Sequence, residues 1–433
     1  MLAKKVVRYL FEQWRHPLSK NTAWMLVGYS VRLVFQSIAF VLLARALGPE
    51  DFGAFMAMFA VANLIAPFVG LGGYSLVNRD VVDGIAVRQA YGNALALSIF
   101  ALPLGLVLVK LVNLFLLPDI PWLIALFVSV GVLLGGNTVQ IVQGLNVSQN
   151  LLWRNALLET LNGVILLLWV VLFVIVGGRL MAWSLLFLVH YIFMATVSLA
   201  WSIRTWGWPQ WSFAGVANRV GLGLHFALGS FSQVGSSEVD KALLARLGGM
   251  EAAGIYSAAQ RIIVAGFYPL MAFLAANYAR FFQLGRAGIR STRVYAFKIA
   301  PFVLAYTVIS GIIIWVAAPL IARLLGSEFT QTGRAIRWLA MLLVIQGLQY
   351  PFADALTGAG LQSVRSGIQV AALFLVVVGN AILIPRYGWL GAVWTSLLVS
   401  GLVLVAMMGA LMLYSKEKEE DAKDLPLRKR RKR

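Results

Sequence analysis

The 433-residue chain contains no cysteine, only three histidines, and 17 acidic residues against 36 basic ones. Without cysteine there is no disulfide, no thiolate nucleophile and no cysteine-ligated zinc. His16, His190 and His225 lie too far apart in sequence to form a metal-ligand motif. Gly-rich phosphate loops, nucleophile elbows and zinc signatures are all missing. Charged residues make up 12% of the chain, about half the ~25% of an average soluble domain. These absences argue against an enzyme, and neither a metal nor a cofactor is expected.

What the chain has is apolar length. It is 60% hydrophobic, with a mean hydropathy of +0.82. Twelve segments reach the ~20 residues needed to cross a bilayer. They run over 21–44, 52–74, 91–116, 121–144, 151–176, 181–203, 219–245, 252–281, 293–318, 335–360, 363–385 and 389–414. If the N-terminus is cytoplasmic, most of the 36 Lys and Arg fall on the cytoplasmic side. That asymmetry is the positive-inside rule, and it places both termini in the cytoplasm of a multi-pass protein of the cytoplasmic membrane. The net charge of +19 is thus a topology signal, and no nucleic-acid partner is expected.

Residues 1–20 pair Lys4, Lys5, Arg8 and Arg15 with Val6, Leu10, Phe11 and Trp14, as an amphipathic segment lying on the membrane does. The connection 204–218 carries Trp206, Trp208 and Trp211, which suit a headgroup layer. The tail 415–433 reads KEKEEDAKD and then RKRRKR, a composition that predicts disorder and contact with anionic lipid.

One stretch is written twice. Residues 42–58 read LLARALGPEDFGAFMAM and residues 243–259 read LLARLGGMEAAGIYSAA. Without a gap they match at Leu42/Leu243, Leu43/Leu244, Ala44/Ala245, Arg45/Arg246, Gly48/Gly249, Glu50/Glu251, Gly53/Gly254 and Ala57/Ala258. The repeat predicts an all-α polytopic protein of two six-helix lobes, 21–203 and 219–414. An even helix count leaves both copies in the same orientation, a parallel repeat typical of transporters.

Ionisable side chains at bilayer depth cost at least ~2.5 kcal/mol each, so they normally face a bundle interior or a wet cavity. Arg32 lies mid-span with Gln36 one turn later, and Lys110 is near enough to a span end to snorkel. Asn155, Glu159 and Asn162 follow i, i+4, i+7 spacing, and Asn137, Gln140 and Gln143 or Gly144 make a similar stripe in the preceding span. The seventh span is more polar still, with Ser230, Gln233, Ser237 and Asp240/Lys241 on one face. The repeat aligns Arg32 and Gln36 with Gln233 and Ser237, which predicts a water-accessible cavity lined by the first and seventh spans. Arg32, Arg261 and Lys241 stand in this interior beside Glu159, Glu238 and Asp240, and a cationic lean suits an anionic cargo. Each has a plainer reading as well. Arg32 would serve as a structural partner of Glu159 or of a carbonyl, Asp240 and Lys241 as anchors of a helix end, and His225 as a satisfied buried histidine. The Gly131/Gly135 pair reads as close helix packing.

LLARALGPEDFGAF, the run to GLGGYSLVNRD, and DKALLARLGGMEAAGIYSAAQRI resemble the polysaccharide exporters related to O-antigen flippases, within the multidrug/oligosaccharidyl-lipid/polysaccharide (MOP) exporter superfamily. The likeness spans about residues 20–414. It implies twelve helices in two lobes of the MATE/MOP kind and the flipping of a polyprenyl-(di)phosphate-linked oligosaccharide, an O-antigen or exopolysaccharide unit, by alternating access. Basic cavity residues for the lipid diphosphate carry over to Arg32 and Arg261, with Lys241, Gln36 and Gln233 beside them. Arg79, at the cytoplasmic end of the second span, is placed to meet the headgroup first. The family's seventh-span acidic position matches Asp240. With Glu159 and Glu238 it is a candidate for coupling to protons or sodium. Implied partners are the lipid-linked glycan, membrane lipids, and the polymerase or glycosyltransferase machinery of polysaccharide synthesis. Two rival functions remain: a cation-coupled multidrug antiporter of the same fold, and a membrane-embedded glycosyltransferase or ligase, which the short external loops disfavour.

Overall fold

The computed structural model describes residues 17–424, leaving out the side chains of 17–27, 416–424 and a few positions between, Gln233 among them. The expected N-terminal amphipathic segment and the terminal RKRRKR therefore lie outside the described residues. Every element among the described residues is helical.

The first helix, α1 (Pro17–Gly70), is 54 residues long and breaks once, at Gly48 (φ 72°, ψ 170°). A left-handed φ is sterically open to glycine, and Pro49 follows where its missing N–H is harmless. The repeat partner Gly249 takes nearly the same conformation (φ 93°, ψ 161°) between two helices of the second half. Residues matched on sequence alone thus make the same backbone turn at equivalent places. Later turns repeat this: Asn150 and Gly360 both have positive φ after the fourth and tenth spans, as do Gly177 and Gly388 after the fifth and eleventh.

The chain continues through α2 (Gly73–Val82), α3 (Val87–Leu116), α4 (Trp122–Val130), a π-helical turn (Gly131–Gly136) and α5 (Asn137–Ser148). Then come α6 (Leu152–Val176), α7 (Leu180–Trp206), α8 (Phe213–Leu247), α9 (Met250–Gly285), α10 (Ile289–Leu325), a short 3₁₀ turn (Ser327–Phe329), α11 (Thr330–Gly358), α12 (Gln362–Tyr387) and α13 (Trp389–Asp424). Nine stretches among the described residues are long and apolar enough to cross a bilayer. The first of them, Ser30–Val82, is two spans joined at Gly48, and α8 and α9 are long enough to add two more. The protein is a multi-pass, all-helical membrane protein, as the sequence predicts.

Two expectations change. The last helix does not stop at 414 but runs to Asp424. KEKEEDAKD is built of good helix formers with Lys and Glu spaced i, i+4, so a helix already started propagates through it. The connection expected over 204–218 shrinks to 207–212 and is fastened to α3. Arg88 Nε donates to the Trp208 carbonyl (3.1 Å), Gln210 N to the Arg88 carbonyl (2.9 Å), and Ser212 N to Asn93 Oδ1 (3.1 Å), while Tyr91 donates its hydroxyl to Gly207 O. A side chain at Gly92 would collide with Gln210, which explains the glycine there.

The chain divides into two compact units, 1–246 and 247–433. In the first, α8 packs on α2 and α3: Arg219 pairs with Asp80 (2.5 Å), and Val216, Ala227, Leu222 and Phe226 cover Leu71, Leu76 and Leu97. In the second, α11 packs against α9, α10 and α13. Its core joins Phe281, Tyr295, Phe352, Leu356, Met407 and Leu411.

Candidate functional site

In the first unit, α1 and α6 cross almost backbone to backbone. A Cβ on Gly28 would lie 2.6 Å from the Ala156 backbone, and one on Gly163 would lie 3.0 Å from the Arg32 Cα. Small residues permit this approach, and lipid supplies no competing force against it. Arg32 is one turn beyond Gly28, and Glu159 lies between Ala156 and Gly163. The crossing therefore sets the two charges side by side, and Arg32 donates to Glu159. The Glu159 side chain is 7% exposed and that of Arg32 is 31% exposed. The second carboxylate oxygen of Glu159 accepts from Gln143 Nε2 at 2.7 Å. Asn155 donates to the Gln143 carbonyl (3.0 Å) and accepts from Asn146 (2.8 Å), which holds that glutamine in place. Asn162 faces His190 at 2.8 Å. The stripe read from i, i+4, i+7 spacing is thus a working polar surface on α6.

These groups wall a cavity of about 350 Å³. Arg32, Glu159, Gln140, Gln143, Asn63 and Asn162 supply its polar lining, with the rings of Tyr74 and Tyr191 beside them. Asn137, the third member of the α5 stripe, instead donates to the carbonyls of Leu133 (2.8 Å) and Ala66 (3.3 Å) and is structural. Gly135 confirms the close-packing expectation, since a Cβ there would lie 2.7 Å from the Tyr191 carbonyl.

The remaining predicted residues are spread along the fold. Gln36 is half-buried one turn beyond Arg32 and does not line the cavity. Lys241 pairs with Glu238 at 2.9 Å on α8, and buried Asp240 accepts from the Lys241 N–H at 2.9 Å. Arg79 pairs with Asp83 at 3.3 Å on the exposed face of α2. Gln233 lies outside the described side chains. His225 is a correction: it is exposed, with Nδ1 2.8 Å from the Gly221 carbonyl of its own helix. Lys110 caps the ring of Trp122 at 4.6 Å, a snorkelled position.

Arg261, on α9 of the second unit, is half-buried, and its Nε has no hydrogen-bond partner among the described residues. A buried guanidinium N–H without an acceptor is costly unless a ligand supplies one. The described residues hold no group of three or more His, Cys, Asp or Glu placed to bind a metal ion. The sequence missed Asn63 and the tyrosines as cavity residues, whereas Gln140 and Gln143 stood on the polar stripe read from their spacing.

Residues 18–284 match the family model described as polysaccharide biosynthesis protein. The chain belongs to this family. No curated protein matches the chain. Among solved structures, it resembles an inward-facing multidrug resistance MATE family transporter of the MOP superfamily, at 16% identity and a TM-score of 0.67, covering 90% of this chain and 99% of that one. It also resembles a MOP superfamily transporter from Pyrococcus furiosus, described by a reverse polarity of its binding pocket that suggests a different function (16% identity, TM-score 0.58, covering 92% and 96%). A MATE protein solved in complex with MaD3S is similar at 17% identity, a TM-score of 0.61, and coverage of 93% and 96%. At these identities the likeness establishes the fold, which is that of the MOP superfamily. This member of the polysaccharide biosynthesis family shares that fold.

Proposed function

We propose that the protein flips a polyprenyl-(di)phosphate-linked oligosaccharide across the cytoplasmic membrane by alternating access, with both termini in the cytoplasm. The observation that carries this reading is the Nε of half-buried Arg261, a buried donor with no hydrogen-bond partner among the described residues, which an oxyanion would satisfy. Family membership makes a saccharide intermediate the natural cargo, and diphosphate oxygens match a guanidinium fork. Arg32 is the second proposed phosphate contact. The amides and tyrosine rings around it suit sugar hydroxyls and sugar faces. Lys241, Gln36, Gln233 and Arg79 are the remaining proposed cargo contacts. The Pyrococcus transporter with reversed pocket polarity supports the idea that this fold accommodates cargo of either sign.

Glu159 is the proposed coupling residue, ahead of Asp240 and Glu238. Its charge is already balanced by Arg32, which works against a sodium site. A proton arriving at Glu159 would release Arg32 toward an anionic cargo, so proton coupling is the physically simpler choice. The proposed partners are membrane lipids and the enzymes that build and polymerise the glycan.

A cell whose surface glycan depends on this protein tests the assignment. Arg261→Ala is expected to cut glycan display at least tenfold at unchanged protein level, in keeping with loss of a charged hydrogen bond of about 1.5–3 kcal/mol. Arg32→Ala, which also strands Glu159, is expected to do so per molecule of protein present. Normal display by both variants would sink the binding assignment. The multidrug reading is favoured by the MATE-like fold. Robust ion-driven ethidium efflux would establish it.

A further inference from the structure

The positive-inside pattern has an exception in the second unit. The turn between α10 and α11, on the face otherwise poor in Lys and Arg, brings Arg323, Arg334 and Arg337 together with Glu328 as the one acidic residue near them. All three arginines are exposed, and none makes an ion pair or a side-chain hydrogen bond among the described residues. They line one cavity of about 550 Å³, with Ser327 and Thr330 beside them. Arg334 and Arg337 also belong to a second cavity of about 430 Å³, whose other walls are Val308, Ile312, Trp315, Trp338 and Met341. The Arg337 guanidinium lies 4.8 Å from the centre of the Trp315 ring. That cation–π contact holds the guanidinium over the ring, and its N–H donors make no hydrogen bond among the described residues.

A pocket carrying three arginines thus runs directly into an apolar groove at the end of two spans. The groove opens on a flank where Ile312, Val316 and Leu320 are 58%, 63% and 60% exposed, the surface that bulk lipid wets. A soluble anion would use the first pocket and leave the groove empty. A zwitterionic lipid would bring a fourth cation into a site already carrying three. A lipid with an anionic phosphodiester head and acyl chains fits both halves. We infer that the α10–α11 turn is a binding site for an anionic glycerophospholipid of that leaflet, with its phosphate among Arg323, Arg334 and Arg337 and a chain along Trp315 and Trp338.

The inference stands apart from the cargo reading, because it concerns a lipid that stays in its leaflet. Native mass spectrometry of the full-length protein, titrated with phosphatidylglycerol, phosphatidylcholine, undecaprenyl phosphate or inorganic phosphate, tests it. Wild type is expected to retain phosphatidylglycerol in preference to the other three. Each arginine lost is expected to weaken retention about fivefold, and Arg323→Gln/Arg334→Gln/Arg337→Gln on the order of 100-fold, from the usual contribution of a basic residue at a charged membrane surface. Arg386→Gln, an exposed arginine outside both cavities, leaves retention unchanged. If the triple variant does not elute as a folded monodisperse species, Arg334→Gln alone carries the test. Equal retention by variant and wild type, or equal retention of phosphatidylcholine, overturns the site. Preferential capture of undecaprenyl phosphate overturns the phospholipid assignment, and full displacement by inorganic phosphate overturns the role of the groove.

Discussion

Glu159→Ala is expected to destabilise the protein by about 3 kcal/mol, the low end of the range for stripping one partner from a buried ion pair. The low end applies because Arg32 is 31% exposed and keeps some solvation, whereas Glu159 is 7% exposed. The substitution removes an acceptor of Arg32 and one of Gln143 together, so a cation and an amide each lose a hydrogen bond in one step. Arg32→Ala/Glu159→Ala removes both charges and is expected to be less damaging than the sum of the two single changes. Thermal unfolding of the purified variants in one detergent checks this. A Glu159→Ala protein as stable as wild type would mean that the pair contributes nothing to the fold.

Gly28→Leu is the second large effect. With the Ala156 backbone 2.6 Å from where a Cβ would go, no rotamer accommodates a side chain, and α1 must move off α6. Overpacking of a tight core costs typically 1–3 kcal/mol. Here the displacement also opens the Arg32–Glu159 pair one turn away, so the expected loss is larger, on the order of 4 kcal/mol when that pair is included. Gly401, with open space where its Cβ would be, is the matched control: Gly401→Ala should fall within about 0.5 kcal/mol of wild type. Fluorescence-detected size exclusion reports the folded fraction of both. A monodisperse Gly28→Leu protein of normal stability would contradict the close crossing.

These two effects mark what the sequence could and could not reveal. The spans were legible because a bilayer demands long apolar runs, and the repeat because Gly48 and Gly249 each make a turn that favours glycine. The α6 stripe was legible because helical spacing puts Asn155, Glu159 and Asn162 on one face. The pairing of Arg32 with Glu159 stood in the sequence as one of two readings of Arg32, and the α1–α6 crossing brings the two side chains into contact. What remained hidden depends on contacts far apart in the chain. Nothing local to Gly28 or Gly163 announces that each faces the other helix's backbone. Nothing near Asp80 signals Arg219, which ties α8 to the first unit although the repeat counts α8 with the second half. The π-helical turn at Gly131–Gly136 is equally silent in sequence, since a widened turn has the composition of any glycine-rich helix.

The measurement that bears most directly on the whole account is flipping by the purified protein in proteoliposomes. A fluorescent polyprenyl-diphosphate oligosaccharide is loaded in the membrane, and the fraction reached by an external quencher is followed over time. Protein-dependent flipping that Arg261→Ala and Arg32→Ala abolish is the expected result. No flipping under imposed proton, sodium or voltage gradients, with ethidium extruded by the same vesicles, would contradict it and make the protein a drug exporter.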